Sequence, residues 1–566
     1  MKRVGKMLMT LSLSALMVSV AACGNSNNKE AATGDASQSP SQTAVQSPSA
    51  SPDQKNEVVT VSTVRKSDPY LKFDEGEDFD HNSVYDAYEK DAGVKITNKW
   101  VADDSQFKEK VKMAIATNDL PDFMPVSATQ LKQLVEADMI MDLTDLYDKN
   151  ATQNTKDFMV RDGGLQMKSA TYDGKLMAIP MTGNPFNYQF LWVRTDWLKK
   201  LNLPEPKTMQ DVMNIAEAFA TKDPGGTGKS YGMAFNKSLY EGSAIGTWNG
   251  AESFTGFLNG FGAYTKLWYD DGSGQLVKGD VQPQMKVALK ALQDMFKKGL
   301  IDPEFAVKDD QKEGELIFNN KIGLVYGPQW MPAYLAAGAV KDNKVVQEWG
   351  VFPIPSVDGT PGKSQMGLGT DDYYVVSKKA KNPEGVIKLL NNWIVVDNNQ
   401  TEENKVYEFG KDRVEKSSNY WLLNPLTVYN QTNNNGEILP KAIENKDESL
   451  LQTKDQKGRY ARAMKALGGD NSVWWELLIS GPKGASSLVP DLQKNERFMR
   501  DKFYGAPTPA MVEKEAILNT KRDEIFVKII MNQVSIDEFD KFVAEWKKLG
   551  GDQMTKEVNE WYAQNK

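Results

Sequence analysis

The chain has 566 residues, a formal net charge of −8, and 13 Trp, 20 Tyr and 22 Phe, but a single histidine and a single cysteine. His81 cannot by itself form a metal site that needs two imidazoles, and it would be the sole base available to a serine triad. Cys23 has no partner for a disulfide within the chain. The length predicts two or more domains, because single hydrophobic cores stop growing near ~250–300 residues.

The first 22 residues have the pattern of a signal peptide. Basic residues precede an apolar run over 7–22, which is short for a membrane span of ~20 residues. The run ends in Val20-Ala-Ala-Cys23-Gly24, which resembles a bacterial lipobox, where the cysteine is diacylated and becomes the first residue of the mature chain. The sequence therefore predicts a signal peptide over 1–22 and lipid attachment at Cys23. A plain secretory signal followed by an incidental cysteine is the alternative.

Residues 23–56 have the composition of a disordered tether. After Cys23 the segment contains no aromatic residue and consists mainly of Ser, Ala, Asn, Gln, Pro and Gly, so it cannot bury enough apolar surface to offset the entropy of ordering. Such a coil spans roughly 30 Å, and two acyl chains would hold it stably at a membrane. Removing the signal takes away three positive charges and leaves a mature net charge of −11, which argues against nucleic acid as a partner.

The folded part opens with alternating strands and helices. The pattern predicts strands over 58–64, 94–100 and 122–126, with helices over 84–92 and 105–116 between them. This alternation predicts an α/β fold with right-handed crossovers and a mostly parallel sheet. Ligands of such sheets bind beyond the carboxyl ends of the strands, so the loops after the first and third strands are the first candidates for a site.

The middle of the chain repeats this pattern. It predicts strands over 176–180 and 190–193 and a helix over 287–298. Another helix begins at Thr208 and extends to Ala218, and Asp211 stands three residues after Thr208, the spacing of a capping box.

Several stretches together carry a resemblance to a known family. They are residues 191–198, 299–305, 318–323, 382–390 and 550–561. On these stretches the chain resembles the family 1 extracellular solute-binding proteins, the ligand-capturing lipoproteins of ABC importers. It is most similar to their LplA/YtcQ-like oligosaccharide-binding branch in Gram-positive bacteria. The resemblance covers nearly all of residues 57–566.

The resemblance implies an α/β fold of the two-lobe, type II periplasmic-binding-protein-like kind, with a hinge and a ligand cleft between the lobes. The expected bounds are 57–185 and 353–400 for lobe 1, 186–352 for lobe 2, and 401–566 mainly for the C-terminal helices of lobe 2. It further implies a monomeric, non-enzymatic carrier without a cofactor, held on the outer face of the cell membrane. Such a carrier delivers its sugar to the permease subunits of an ABC importer and their ATPase.

The loop over 223–232 departs from the family pattern. Many relatives carry an acidic calcium-binding loop there, and an oxygen-ligand loop needs side chains at alternating positions. In this chain those positions hold Asp223, Gly225 and Thr227, so one carboxylate remains. We expect a Gly-rich turn and no metal at this loop.

Trp330 is the first candidate for sugar binding. A sugar ring binds through its apolar face to an aromatic side chain and through its hydroxyl rim to amides or carboxylates. Trp330 lies in Gly327-Pro-Gln329-Trp330 after a strand over 322–326, and the loop resembles the segment that carries a sugar-stacking tryptophan in maltose-binding relatives. The alternative is an inward-facing core residue.

Further candidates are aromatic and polar residues in loops or after strand ends. They are Gln329, Lys66, Asp68, Tyr70, Ser127, Thr129, Asn184, Asn187, Tyr188, Trp248, Asn249, Asp371, Asp372, Trp421, Trp474 and Trp475. Trp474 and Trp475 are adjacent, so in a helix one can lie in the core while the other faces the cleft.

Two other classes of function stay open. A glycosidase needs only two carboxylates that flank a bond, and Asp371 and Asp372 could supply them. Neighbouring residues of a strand point to opposite faces, however, which argues against this pair. A surface lipoprotein that binds another protein and no small ligand is the other alternative.

Overall fold

The computed structural model describes residues 58–68, 71–183, 188–239, 252–398, 401–413, 419–429 and 435–565. The strands within these ranges are β1 (Val59–Lys66), β2 (Val94–Ala102), β3 (Phe123–Val126), β4 (Thr171–Tyr172), β5 (Lys175–Leu176), β6 (Ile179–Thr182), β7 (Gln189–Arg194), β8 (Trp268–Asp270), β9 (Leu276–Lys278), β10 (Leu324–Pro328), β11 (Val340–Lys341), β12 (Lys344–Val345), β13 (Trp349–Phe352), β14 (Ser364–Met366), β15 (Thr370–Val376) and β16 (Phe498–Arg500).

The α-helices of the same ranges make the molecule a mixture of helix and sheet. They are α1 (Ser83–Ala92), α2 (Asp104–Ala116), α3 (Ala128–Glu136), α4 (Thr144–Asn150), α5 (Gln153–Met159), α6 (Leu165–Ser169), α7 (Thr195–Leu201), α8 (Met209–Lys222), α9 (Thr255–Gly260), α10 (Pro283–Lys297), α11 (Asp310–Phe318), α12 (Met331–Ala339), α13 (Glu384–Asn398), α14 (Val406–Phe409), α15 (Asn435–Asn445), α16 (Lys454–Leu467), α17 (Trp475–Ser480), α18 (Ala485–Lys494), α19 (Pro509–Ile530), α20 (Glu538–Trp546) and α21 (Asp552–Asn565).

Local sequence signals place several of these elements. The capping box at Thr208 is confirmed: its hydroxyl accepts a hydrogen bond from the Asp211 N–H at 3.1 Å, and the Asp211 carboxylate accepts one from the Thr208 N–H at 2.9 Å. These two bonds satisfy N–H groups that the first turn of α8 leaves without a helical partner.

The expectation of a mostly parallel sheet is wrong. Only β1 pairs with β2 and β14 with β16 in parallel among the described strands, whereas β15 pairs antiparallel with both β3 and β6, and β7 pairs antiparallel with both β10 and β13. The reason is non-local, because β15 belongs to a segment that returns some 250 residues after β3 and enters the sheet in the opposite direction.

The buried apolar side chains of the described ranges form two main cores. The first core takes its members from residues 61–179 and 373–428. The second core is made of two neighbouring clusters whose members come from residues 188–366 and 485–558. The chain therefore changes core between Ile179 and Tyr188, between Met366 and Tyr373, and after Val428. The lobe bounds expected from the sequence stay a prediction.

Candidate ligand-binding site

Two of the passages between the cores lie side by side. Thr182, at the end of β6, is paired with Thr370, at the start of β15. One residue further on, the Gly183 N–H donates to the Gly369 carbonyl at 2.6 Å. A Cβ on Gly183 would lie 3.0 Å from that carbonyl oxygen, so glycine permits the close approach. We call this place, residues 182–183 and 369–370, the crossing.

Gln166 holds both chains of the crossing and was not predicted from the sequence. Its side chain is fully buried, and its Nε2 donates to the carbonyls of Leu368 at 3.1 Å and Gly369 at 2.9 Å on one chain and, at 3.4 Å, to that of Gly183 on the other. The Gln166 N–H donates to the Asp162 carboxylate at 2.7 Å, which fixes the start of α6. A glutamine in a five-residue helix carries no sequence signal that could have identified this role.

Asp371 and Asp372, two of the predicted site residues, lie on β15 next to the crossing. Burial raises the pKa of Asp372, and Lys108 opposes that shift. Of Asp371 the structure describes the backbone, which lies in β15 directly after Thr370.

The candidates after the other strands of the first core have mixed roles. Ser127 caps α3, because its hydroxyl accepts from the Gln130 N–H at 3.3 Å and its own N–H donates to the Gln130 side chain at 2.9 Å. Thr129 is half-buried in the same helix. Lys66 is exposed at the end of β1, and Asp68 is half-buried two residues later. The bonds of Ser127 give it a structural role as a cap.

Trp421 presents an accessible indole on the first core's side. It is 36% exposed, the largest side chain among the exposed apolar residues of the described ranges. Its turn, Tyr420–Leu423, is held to the end of β1 because the Arg65 guanidinium donates to the carbonyls of Leu422 and Asn424. An exposed ring on an anchored turn can serve as a platform for an apolar ligand face.

On the second core's side, Trp330, Trp474 and Tyr188 belong to or pack against one cluster of apolar side chains. Trp330 follows β10, whose last residue pairs with Gln189, the first residue of β7. Trp330, Trp474 and Phe498 are half-buried and pack against the cluster that contains Tyr188. We call these four side chains the aromatic patch. Of these four residues, Tyr188 directly precedes the first residue of β7.

Gln329 and Trp475 lie beside this patch but have other contacts. The Gln329 side-chain amide donates to the Ser486 hydroxyl, which ties it to α18. The ring of Trp475 lies under the Arg462 guanidinium, whose Cζ is 5.4 Å from the ring centroid, and Trp475 is not among the members of the second core. Of the two adjacent tryptophans, Trp474 is thus the one that packs against the second core.

Tyr188 and Arg500 influence each other electrostatically. Tyr188 is 2% exposed, and burial raises the pKa of its hydroxyl to about 12, which the nearby Arg500 guanidinium partly opposes. Burial also lowers the pKa of Arg500, and Asp162 opposes that shift. Arg500, on β16, therefore lies within electrostatic reach of a second-core tyrosine and of the aspartate that holds Gln166. No sequence pattern singled out Arg500.

Several predicted residues lie outside the described residues. They are the lipid-attachment candidate Cys23 and the ligand candidates Tyr70, Asn184, Asn187, Trp248 and Asn249. Their roles stay predictions.

The loop after α8 is held by hydrogen bonds from its own residues. The Asp223 carboxylate accepts from the N–H groups of Thr227 and Gly228, at 3.2 and 2.8 Å, and from the Ser230 hydroxyl at 2.5 Å. The Ser230 hydroxyl and these N–H groups lower the pKa of Asp223. Within the described ranges, no group of three or more His, Cys, Asp or Glu side chains is arranged to hold a metal ion.

A separate group of carboxyls is buried in the second core's side of the chain. The Tyr334 hydroxyl donates to the Glu252 carboxyl at 2.6 Å, and burial raises the pKa of Glu252 to about 8. Both side-chain oxygens of Glu313 are buried without a hydrogen-bond partner among the described residues. Burial, helped by Glu252 and Asp302, raises its pKa to about 9.

Comparison with known proteins agrees with this architecture. LipO, a lipoprotein of Bacillus subtilis, is 23% identical over 580 aligned positions that cover 100% of this chain and 99% of LipO. YtcQ, a polygalacturonan/rhamnogalacturonan-binding protein of the same organism, is 21% identical and covers 84% of this chain and 87% of its own. The substrate-binding protein FusA of Streptococcus pneumoniae, solved as an EF-hand mutant in complex with fructo-nystose, superposes with a TM-score of 0.60 at 18% identity. That superposition covers 89% of this chain and 99% of FusA.

These likenesses establish the fold and the family. The solved neighbours are substrate-binding proteins with a two-lobe fold, so the two cores described above belong to an α/β fold of that kind. Within the described ranges no helix is both long and apolar enough to span a membrane. Residues 75–399 match the family described as bacterial extracellular solute-binding protein, and the chain belongs to that family.

Proposed function

We propose that the protein is the extracellular, lipid-anchored solute-binding component of an ABC importer and that it captures an oligosaccharide in the cleft between its lobes. The observation that carries this proposal is the placement of the tryptophans. Trp330 and Trp474 are half-buried and pack against the second core, and Trp421 is exposed on the first core's side. Aromatic rings on the sides of both cores can bind a ligand that has apolar faces and a polar rim.

The relatives support carbohydrate as the ligand class. YtcQ is named for binding polygalacturonan and rhamnogalacturonan, and FusA for fructooligosaccharides. Members of the family are solute-binding proteins rather than enzymes, which favours capture and delivery to permease subunits and their ATPase over cleavage. We propose Cys23 as the diacylated anchor and a monomer as the active form.

The test is a binding titration with a panel of neutral and acidic oligosaccharides. Intrinsic tryptophan fluorescence should change on binding, and a ligand at 100 times Kd should stabilise the folded protein by ~2.7 kcal/mol. Trp330→Ala should weaken binding about 10-fold through the loss of stacking and apolar contact. Trp475→Ala, whose ring lies under Arg462 instead, is the matched control and should bind as the wild type does.

Two outcomes would contradict the proposal. Cleavage products at substoichiometric protein would favour the glycosidase alternative. No binding across the whole panel would favour a lipoprotein that engages another protein. The anchor is tested separately in a Gram-positive host, where Cys23→Ser should move the protein from the membrane fraction to the medium.

A further inference from the structure

The loop after α8 keeps part of the pattern of an EF-hand calcium loop. Such a loop has about 12 residues, with a ligand at its first position and an invariant glycine at its sixth. Counted from Asp223, the sixth residue is Gly228, whose φ of 81° lies in the left-handed region that favours glycine. The loop therefore has the length and the sharp turn of the calcium loop that many relatives carry at this place.

Most of the calcium ligands, however, are missing. An EF-hand loop supplies oxygens at alternating positions and a bidentate glutamate at its last position. Here the third position is Gly225 and the last is Ala234, neither of which has a side-chain oxygen, and Ala234 is fully buried. The oxygens that remain at the first, fifth and seventh positions are the Asp223 carboxylate, the Thr227 hydroxyl and the Lys229 carbonyl.

These three remaining groups already have hydrogen-bond partners inside the loop. The Thr227 hydroxyl donates to the Lys229 carbonyl at 2.9 Å. The Asp223 carboxylate accepts from the N–H groups of Thr227 and Gly228 and from the Ser230 hydroxyl. The loop is thus closed on itself by its own donors, at the oxygens that a metal ion would otherwise take.

The surroundings of the loop also oppose a metal ion. A Cβ on Gly225 would overlap the carbonyl oxygen of Asn320 and would lie 3.0 Å from the ring of Trp197, so packing leaves no room for a ligand side chain at the third position. On the neighbouring helix α7, the Lys200 ammonium donates to the Pro224 carbonyl at 2.7 Å. A cation of the protein itself therefore already binds a carbonyl oxygen of this loop.

We infer that residues 223–230 form a calcium-independent clasp, in which the Ser230 hydroxyl and the Lys200 ammonium supply the contacts that a bound calcium ion supplies in an EF-hand loop. The clasp fixes the start of β10. Directly after it, the Tyr231 N–H donates to the Lys321 carbonyl at 2.8 Å, and Tyr231 is bridged to Ile322, two residues before β10. The inference does not depend on the proposed function.

The first test is thermal unfolding of the whole protein in EGTA and in calcium chloride. Calcium at about 10 mM exceeds the ~10⁻⁴–10⁻³ M dissociation constants of extracellular EF-hand modules, so a calcium-binding clasp would be stabilised. The readout is the calcium-induced shift of the wild type minus that of Asp223→Asn, because general salt effects act on both proteins. We expect no difference. A larger upward shift in the wild type than in Asp223→Asn would overturn the inference.

The second test removes the hydroxyl that closes the clasp. Ser230→Ala takes a donor from the Asp223 carboxylate, which should lower the unfolding temperature by about 2–4 °C, and calcium should not restore it. The matched control is Ser238→Ala, an exposed serine in the segment that follows, which should unfold at the wild-type temperature. A wild-type unfolding temperature in Ser230→Ala would overturn the role of the clasp.

The third test returns a carboxylate to the third position of the loop. Gly225→Asp completes the acidic spacing of a calcium loop, but its side chain collides with the Asn320 carbonyl. The variant should therefore unfold at a lower temperature than the wild type, equally in EGTA and in calcium. Stabilisation of Gly225→Asp by calcium relative to EGTA, beyond the shift of the wild type, would show that the loop can still accept the ion and would overturn the inference.

Discussion

The replacement Glu313→Gln should change how stability depends on pH. Burial, helped by Glu252 and Asp302, raises the pKa of Glu313 from 4.5 to about 9, so the folded protein keeps this proton where the unfolded chain has lost it. The free energy of unfolding therefore falls as the pH rises from about 4.5 and levels off above the folded-state pKa. One such group contributes a slope of about 1.4 kcal/mol per pH unit. Between pH 5 and 8 the loss is on the order of 4 kcal/mol.

Glutamine has nearly the shape of the protonated carboxyl but does not titrate, so the variant should lose this part of the slope. The assay is guanidinium unfolding at several values between pH 5 and 8, with the free energies of wild type and variant compared at each. The control is Glu315→Gln, on the same helix and exposed, which should leave the wild-type slope unchanged. If the free energy of unfolding falls with pH equally steeply in wild type and Glu313→Gln, Glu313 is not a buried, uncharged carboxyl and the reasoning is refuted.

Two further predictions concern the crossing and the contact between the lobes. Gly183→Ala should destabilise the fold by about 1–3 kcal/mol because the new Cβ meets the Gly369 carbonyl at 3.0 Å. Gly367→Ala, where nothing lies within 4 Å of the new Cβ, should leave the stability of the fold unchanged or raise it slightly. The denaturant midpoints of the two variants and the wild type check both predictions. The Lys132 ammonium in α3 donates to the Pro507 carbonyl at 2.9 Å, a bond between elements of the two cores. Lys132→Met should destabilise the arrangement in which the lobes touch by about 1 kcal/mol. Small-angle scattering would detect this change as a larger radius of gyration. An unchanged radius of gyration would contradict the prediction.

Much of the local structure could be predicted because its causes are local. The capping box at Thr208 depends on two side chains three residues apart, and the strand before Trp330 depends on a run of apolar residues. The same holds for the position of Trp330 at the end of that strand. Its role as a sugar platform stays a prediction, because that role depends on what lies opposite the ring.

The parts that could not be predicted depend on contacts between distant segments. Arg500 comes within electrostatic reach of Tyr188 because β16 pairs with β14, more than 130 residues earlier in the chain. Gln166 holds the crossing through carbonyls some 200 residues away. Neither residue belongs to a motif, and both were missed. The same dependence explains the wrong expectation of a parallel sheet, since the direction of β15 is set by the path of the whole second lobe.

The proposed function predicts that ligand capture and lobe closure are coupled. Trp330 and Trp474 pack against the second core, whereas Trp421 is exposed on the first core's side. A ligand that binds between the lobes and contacts rings of both sides gains its second set of contacts only when the lobes come together. Binding energy divided in this way favours the closed form in proportion to the contacts that the open form lacks.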